Sequence, residues 1–422
     1  MFIIIVAICL LLIDIYVYQS VRVVGQNWAS QTKRWVAIGY WSLSGLSLMG
    51  FFTYHFMPPE IIGRMWRSFI MVALFVNYFS KLFAVFVLFI DDLIRGFKWL
   101  IGKLFLSKVE DAVPAVQEIA VDTGKKGITR GQFLSRTAIV AAAVPAITMG
   151  YGIISGAYDY RIRRTVVRLP NLPTAFDGIK IGHLSDIHSG SFFNKTAVMG
   201  GVEMLMKEKP DLIFFTGDLV NNTADEVKDY VPIFGKLKAP LGVFSTLGNH
   251  DYGDYVQWSS PQEKRENLEL MKEAHRQMGW QLLMNENKEI KLNGDKVAIL
   301  GVENWGKGGF VKHGRLDKAI RGTEEAAVKL LLSHDPSHWD AQVRPRYDDI
   351  DVMFSGHTHG FQFGIEVGNF KWSPAQYMYK QWAGLYQEND QYLYVNRGFG
   401  FLGFPGRIGM LPEITIMELK KA

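Results

Sequence analysis

Long unbroken apolar runs fill the first third of the chain, and short ones alternate with polar stretches after it. Three runs precede residue 91, at about residues 2–18, 35–56 and 69–90. A fourth, rich in Ala, Gly and Val, covers about 137–158. Each is near the ~20 residues that a helix needs to cross a bilayer. So close together, they leave too little polar chain to cover them as core helices of a soluble domain. The pattern predicts a membrane anchor over residues 1–160 with about four crossings, and a separate domain over 166–422. Asp14 in the first run and Asn77 and Lys81 in the third are costly in lipid. Either they face the interior of the helical bundle, or the third run is re-entrant or interfacial.

Beyond residue 166 the apolar runs shorten to strand length. Residues 179–184, 211–216, 242–247, 328–333, 350–354, 392–396 and 413–419 read as strands. Residues 195–209, stopped by Pro210, and 262–278 read as helices. Residues 288–292 and 296–302, joined at Asn293-Gly294-Asp295, read as a hairpin, because Asn-Gly suits a tight primed turn. Strands alternating with helices predict an α/β class with much parallel pairing. In such sheets, ligands gather at the carboxyl ends of strands.

Charge adds sidedness. The net charge of +5 is mild and gives no reason to expect a nucleic-acid partner. Arg22, Lys33 and Arg34 follow the first run, and Arg95, Lys98, Lys103, Lys108, Lys125, Lys126, Arg130 and Arg136 lie between the third and fourth. The intervening loop has only Arg64 and Arg67. Basic loops stay in the cytoplasm, so the expected protein is a multi-pass one of the cell membrane, its second domain on the extracytoplasmic face. Arg161, Arg163 and Arg164, just after the fourth run, argue the other way. Thr129-Arg130-Gly131-Gln132-Phe133-Leu134-Ser135 resembles a twin-arginine export signal whose second arginine is Gly131; an ordinary juxtamembrane basic helix reads equally well. The one cysteine, Cys9, allows no disulfide framework.

Five fragments carry the chemistry, each at the end of a predicted strand: Ser185-Asp186-Ile187-His188, Gly217-Asp218, Gly248-Asn249-His250-Asp251, Ser333-His334-Asp335 and Ser355-Gly356-His357-Thr358-His359-Gly360. Alone, an Asp-x-His is solvated surface and a Gly-Asp is a turn. Together, at five strand ends, they read as one dinuclear metal site. Carboxylate, imidazole and amide donors suit Mn, Fe or Zn better than an all-oxygen cage does.

The order Asp-x-His, Gly-Asp, Gly-Asn-His-Asp, His, Gly-His-x-His resembles the calcineurin-like metallophosphoesterase superfamily, and within it the bacterial membrane-anchored phosphodiesterase branch. The resemblance covers about residues 175–420. It implies a four-layer αββα sandwich of two mixed sheets and two divalent ions. Asp186, His188 and His359 would hold the first ion, Asn249, His334 and His357 the second, and Asp218 would bridge them. Two ions about 3.5–4 Å apart clamp a phosphoryl group and activate a water. His250 would then be general acid or a donor to a phosphoryl oxygen, with Asp251 orienting it. The implied substrate is a phosphodiester or pyrophosphate. The bilayer and the aromatic stretches 372–386 and 399–404 suggest a lipid-linked one. A phosphomonoesterase or nucleotidase on the same site, and a non-catalytic membrane sensor, are the rival readings.

The departures are specific. The last motif continues Gly360-Phe361-Gln362 where the family has Gly-Gly-Gln, so Phe361 either lines the substrate entrance or packs. Leu219-Val220-Asn221 replaces the Val-Asp-Arg-Gly of protein phosphatases. Arg397 or Arg407 could meet a substrate phosphate or form a structural ion pair. His183 is expected in the core, and His55, His275 and His313 at surfaces or interfaces. His338, four residues after His334, would suit a zinc-binding helix, but Pro336 interrupts it.

Overall fold

The computed structural model describes residues 1–105, 128–368 and 370–422; Lys108, Lys125 and Lys126 of the basic loop lie outside them. The chain divides into two compact units, Met1–Gly150 and Tyr151–Ala422.

Four helices among the described residues are long and apolar enough to cross a membrane. They are α1 (Phe2–Val24), α2 (Ser30–Phe56), α3 (Arg64–Phe105) and α4 (Arg130–Ile154), whose last turn belongs to the second unit. At ~1.5 Å per residue, α3 is about 63 Å long, well beyond the ~30 Å hydrocarbon layer. The polar residues in the runs face one another. Asp14 is fully buried; Lys81 Nζ lies 2.5 Å from its Oδ1, and the Ser44 and Tyr78 hydroxyls donate to its Oδ2. Asn77 Nδ2 donates to Ser47 Oγ at 3.0 Å. Pairing inside the bundle offsets the penalty each charge would meet in lipid, so the third run is a continuous helix with an inward polar stripe. At the start of α4, Gln132 N donates to Thr129 Oγ1 and Thr129 N to Gln132 Oε1. This reciprocal cap gives the Thr-Arg-Gly-Gln segment a local structural role.

The second unit is built on two six-stranded sheets. The first runs β1 (Arg161–Leu169), β14 (Glu413–Lys421), β2 (Lys180–Leu184), β3 (Leu212–Phe215), β4 (Val243–Ser245), β5 (Gln281–Leu282). The second runs β12 (Gly384–Glu388), β13 (Gln391–Val395), β9 (Val352–Ser355), β8 (Val328–Leu332), β7 (Asp295–Gly301), β6 (Glu286–Leu292). Most neighbours pair parallel; β14 with β2, β6 with β7 and β12 with β13 are antiparallel. A two-stranded hairpin, β10 (Ile365–Val367) and β11 (Phe370–Trp372), stands apart.

Period-two side-chain alternation builds the layers. Leu212 and Phe214 of β3, Leu330 and Leu332 of β8 and Phe354 of β9 share one core between the sheets. Ile213 and Phe215 turn outward, under α5 (Lys195–Lys207) and α6 (Pro261–Met278). Leu331 and Met353 turn outward on the other side, against Leu316, Ala319 and Trp339. The result is the expected sandwich of two mixed sheets with helices outside. The helix ends follow their caps: Asn194 accepts from Ala197 N, Ser260 accepts from Glu263 N, and Gly279 closes α6 at φ +77°. In the β6–β7 hairpin, Asn293 and Gly294 both take positive φ, as a primed turn requires.

One strand went unread in the sequence, and one expectation needs correcting. Arg161, Arg163 and Arg164 lie on the edge strand β1 and pair with Asp159, Glu366 and Glu208, so they belong to the fold's ion pairs. A solvent-rich edge strand carries no apolar alternation, which hid it in the sequence. His275 is wholly buried, not at a surface: its Nδ1 meets Ser245 Oγ at 2.9 Å and its ring packs on Phe215 and Trp280. His183 is buried between the sheets against Phe354 and Tyr394, as expected. His55 is exposed, and His313 is half-buried and stacked on Tyr252.

Candidate metal centre

All five fragments sit on loops at the carboxyl ends of β2, β3, β4, β8 and β9. Neighbouring strands in each sheet end on the same side, so their loops meet there. The backbone bends sharply to aim the side chains: Asp186, His188, Asp218, His357 and His359 all have φ between 49° and 70°. Non-glycine residues rarely take this conformation, and its strain persists only where neighbours impose it. Inter-loop hydrogen bonds do so here, Asp186 N to Gly217 O at 2.9 Å, His188 N to Asp218 O at 3.0 Å and Gly356 N to His334 O at 3.0 Å. Two glycines permit the close approach. A Cβ on Gly248 would sit 2.2 Å from Asp218 Oδ1, and one on Gly356 would sit 2.0 Å from Asp186 Oδ2.

Two donor triads result, Asp186–His188–His359 and Asp218–His334–His357. In the first, His188 Nε2 and His359 Nε2 face each other at 3.0 Å, and His359 Nε2 is 3.2 Å from Asp186 Oδ1. In the second, His334 Nε2 lies 3.1 Å from both Asp218 Oδ2 and His357 Nδ1. Asp218 Oδ2 is also 3.6 Å from His188 Nε2, so one carboxylate oxygen stands between the triads. Its Oδ1 is fixed by His250 N at 2.9 Å.

The groups around the triads select the donor atoms. His334 Nδ1 donates to Thr216 O at 2.8 Å, which leaves Nε2 as the ring atom that meets Asp218. His357 turns Nε2 toward Tyr379 Oη at 2.8 Å and Asp335 Oδ2 at 3.7 Å, and presents Nδ1 inward. Asn249 Nδ2 donates to Tyr255 Oη at 2.8 Å, while its Oδ1 is buried with no partner. A buried carbonyl left unpaired costs about 1–3 kcal/mol, so this oxygen fits a cation ligand. With converging imidazole nitrogens and two carboxylates, the donor set suits two divalent ions.

Electrostatics agree. Burial would raise Asp186, but His359 beside it holds its carboxyl below the usual range. Burial is likewise outweighed at Asp218, where His334 and His250 keep the carboxyl well below that range. Burial disfavours charge on His334, yet Asp218 lifts it to about 10. Burial alone dominates at His188, pushing it down to about 3. The pocket thus keeps Asp186 and Asp218 ionised and His188 ready as a neutral donor.

The residue expected to orient His250 does something else. Asp251 is fully buried, and its carboxylate accepts from Gly248 N (2.9 Å), Asp218 N (2.8 Å), Leu219 N (2.8 Å) and Val220 N (3.3 Å). It ties the β3 loop to the β4 loop. The His250 ring is instead fixed by Asn221 O, which accepts from Nδ1 at 2.6 Å, and by Tyr255 at 4.5 Å between ring centres. Asn221, Tyr255, Tyr379 and the role of Asp335 were not legible in sequence, because each acts through a contact between loops. His338 stays out of the centre: Ser333 Oγ and Gln342 Oε1 occupy its two nitrogens. Arg397 is buried in a pair with Glu413 at 2.6 Å, and Arg407 is buried among the carbonyls of Gly400, His359 and Met410. Both are structural.

Comparison with known proteins agrees with this geometry. Residues 179–361 match the family model described as "Calcineurin-like phosphoesterase", and residues 1–157 match "Probable Calcineurin-like phosphoesterase, transmembrane domain". The chain belongs to the calcineurin-like metallophosphoesterase family, as a membrane member acting on phosphoric ester bonds. A metallophosphoesterase of Bacillus subtilis named YkuE is 30% identical over 303 residues, 70% of this chain and 99% of that protein. A zebrafish (Danio rerio) transmembrane protein with metallophosphoesterase domain is 26% identical over 71% of this chain and 66% of its own length. Its cattle (Bos taurus) namesake is 28% identical over 75% of this chain and 70% of its own length.

Proposed function

We propose that this protein hydrolyses a phosphodiester or pyrophosphate bond of a lipid-linked substrate, at a centre of two divalent ions facing the extracytoplasmic side. The observation that carries the reading is the pair of donor triads meeting at Asp218 Oδ2 with His250 beside them. Asp186, His188 and His359 would hold one ion, Asn249, His334 and His357 the other, with Asp218 shared. Bound there, the ions supply Lewis acidity toward a phosphoryl oxygen and lower the pKa of a water.

The side chains do the rest. His250 donates Nδ1–H to Asn221 O, so the ring's free edge, Nε2, is its remaining proton-transfer atom. A proton on Nε2 passes to the leaving oxygen as the ester bond breaks. Tyr255 holds both the His250 ring and the Asn249 amide, so acid and ligand keep one spacing. A diester's leaving alkoxide is a strong base that needs this proton.

The test is turnover by the full-length protein loaded with Mn, Fe or Zn. Bis-(4-nitrophenyl) phosphate should be hydrolysed faster than 4-nitrophenyl phosphate. His250→Ala should lower turnover by about 10²–10⁴-fold at nearly unchanged metal content. Preference for the monoester would make the enzyme a monoesterase, and an emptied site in His250→Ala would remove the acid assignment.

A further inference from the structure

The β10–β11 hairpin wears its polarity inside out. From Phe361 to Val367 the alternate residues Phe361, Phe363, Ile365 and Val367 are exposed, while Gln362 and Gly364 are buried and Glu366 is half-buried. The register places Ile365 opposite Trp372 and Val367 opposite Phe370, on one face, and Glu366 opposite Lys371 on the other. The charged face is the inner one. Glu366 takes a two-pronged pair from Arg163 (3.0 and 2.6 Å) and a third bond from Arg397 (3.1 Å). Lys371 Nζ donates to Ala383 O at 2.6 Å and lies over the Trp382 and Tyr386 rings. The apolar face is left open, with Ile365 51%, Phe370 61% and Val367 71% exposed. Tyr377 and Met378 add 75% and 69% nearby in the chain. A hairpin in water buries the face that this one presents.

Its place in the fold says what covers that face. Gln362 O and Gly364 N bond with Ile408, in the segment that packs on the last turn of α4. Arg407 N donates to Gly152 O at 3.1 Å, and a Cβ on Gly152 would lie 2.7 Å from Ile408 Cγ1. On that same turn Tyr151 and Ile154 are 63% and 84% exposed. The hairpin therefore stands beside the point where an apolar, membrane-length helix enters the second unit. One residue, Gly360, separates the first exposed ring, Phe361, from the metal loop's His359.

We propose that the β10–β11 hairpin is seated in the bilayer surface, and that it holds the metal loop at headgroup level so that the phosphate ester is taken from a lipid. The occupant of the apolar face is lipid, and the second half of the proposal rests on the function proposed above. Arg163 and Glu366 anchor the inserted element to β1, so its depth is set by the same strand that continues from α4.

The test uses the full-length chain in a Cys9→Ser background, reconstituted in phosphatidylcholine/phosphatidylglycerol vesicles. A nitrobenzoxadiazole probe on Val367→Cys should emit to the blue and be quenched by doxyl-labelled lipids. The same probe on Leu270→Cys, on the outer face of α6, should do neither. A solvent-like Val367 probe overturns the proposal, as does one shielded from doxyl lipid but cross-linking to a second copy. Val367→Asp/Phe370→Asp should lower turnover of a vesicle-borne lipid phosphodiester by about tenfold or more and leave bis-(4-nitrophenyl) phosphate turnover within about twofold. Equal loss on both substrates overturns lipid capture. Lipid quenching with no hydrolysis of either substrate by the unmodified hairpin would support the seating while removing the proposed function.

Discussion

Replacing Asp251 with alanine separates two accounts of that residue. If it only orients His250, the variant loses turnover and little else. The structure gives it a different task, since its two oxygens accept four backbone N–H groups, all buried, from the loops after β3 and β4. Each buried donor left unpaired costs about 1–3 kcal/mol, and water entering the small cavity would recover part of that. The carboxylate is itself strained: burial and the neighbouring Asp218 charge push it up to about 7. Removing it relieves that repulsion. A net loss of about 3 kcal/mol remains, which for a unit of this size lowers the melting temperature by roughly 6–12 °C. Asp218 and the Asn249–His250 segment would lose their common anchor, so metal content should fall as well. Asp251→Asn, which keeps one acceptor oxygen, should lose about half as much stability. The assay is thermal unfolding of the full-length protein, with metal content read by mass spectrometry. An alanine variant that keeps its melting temperature and both ions yet loses turnover would refute this reasoning.

Three other outcomes follow from the same geometry. Asn249→Ala should bind about one divalent ion per chain where the parent binds two, because its buried, unpartnered Oδ1 is proposed as a ligand of the second ion only; retention of both would remove it from the ligand set. His275 is held near 3 by burial, below its unfolded value of ~6.5. Its contribution to stability is therefore complete above pH ~6.5 and is lost as pH falls toward about 3, since the unfolded chain takes up a proton that the folded one refuses. His275→Gln should flatten that acid limb in pH-dependent unfolding, and an unchanged limb would contradict the burial argument. Lys81→Ala should destabilise the helical unit by about 3–5 kcal/mol by leaving Asp14 uncompensated, and Asp14→Leu/Lys81→Met should recover most of it. Detergent unfolding measures both, and a neutral Lys81→Ala would mean that the pair carries no net stabilisation.

The candidate ligands were legible before the fold was. Short apolar runs gave strands, each ending in Asp, His or Asn, and the family resemblance carried by the order of those motifs named Asp186, His188, Asp218, Asn249, His334, His357 and His359 as the expected ligands. Local chemistry also set the caps of α5 and α6 and the turn at Asn293-Gly294. Other features required the loops to be brought together. The acceptor for His250 is a backbone carbonyl at Asn221, and main-chain oxygens have no sequence signature. The partners of Asp251 are amides on another loop, and His275 looked like a surface residue because a helix's polar composition does not say which turn is buried. The alternation Ile365-Glu366-Val367 shows the limit most clearly. Period two says that the strand has an apolar and a charged face, but both orientations have the same sequence. Arg163 on β1 and Arg397 after β13, distant along the chain, turn Glu366 inward and leave the apolar face outside.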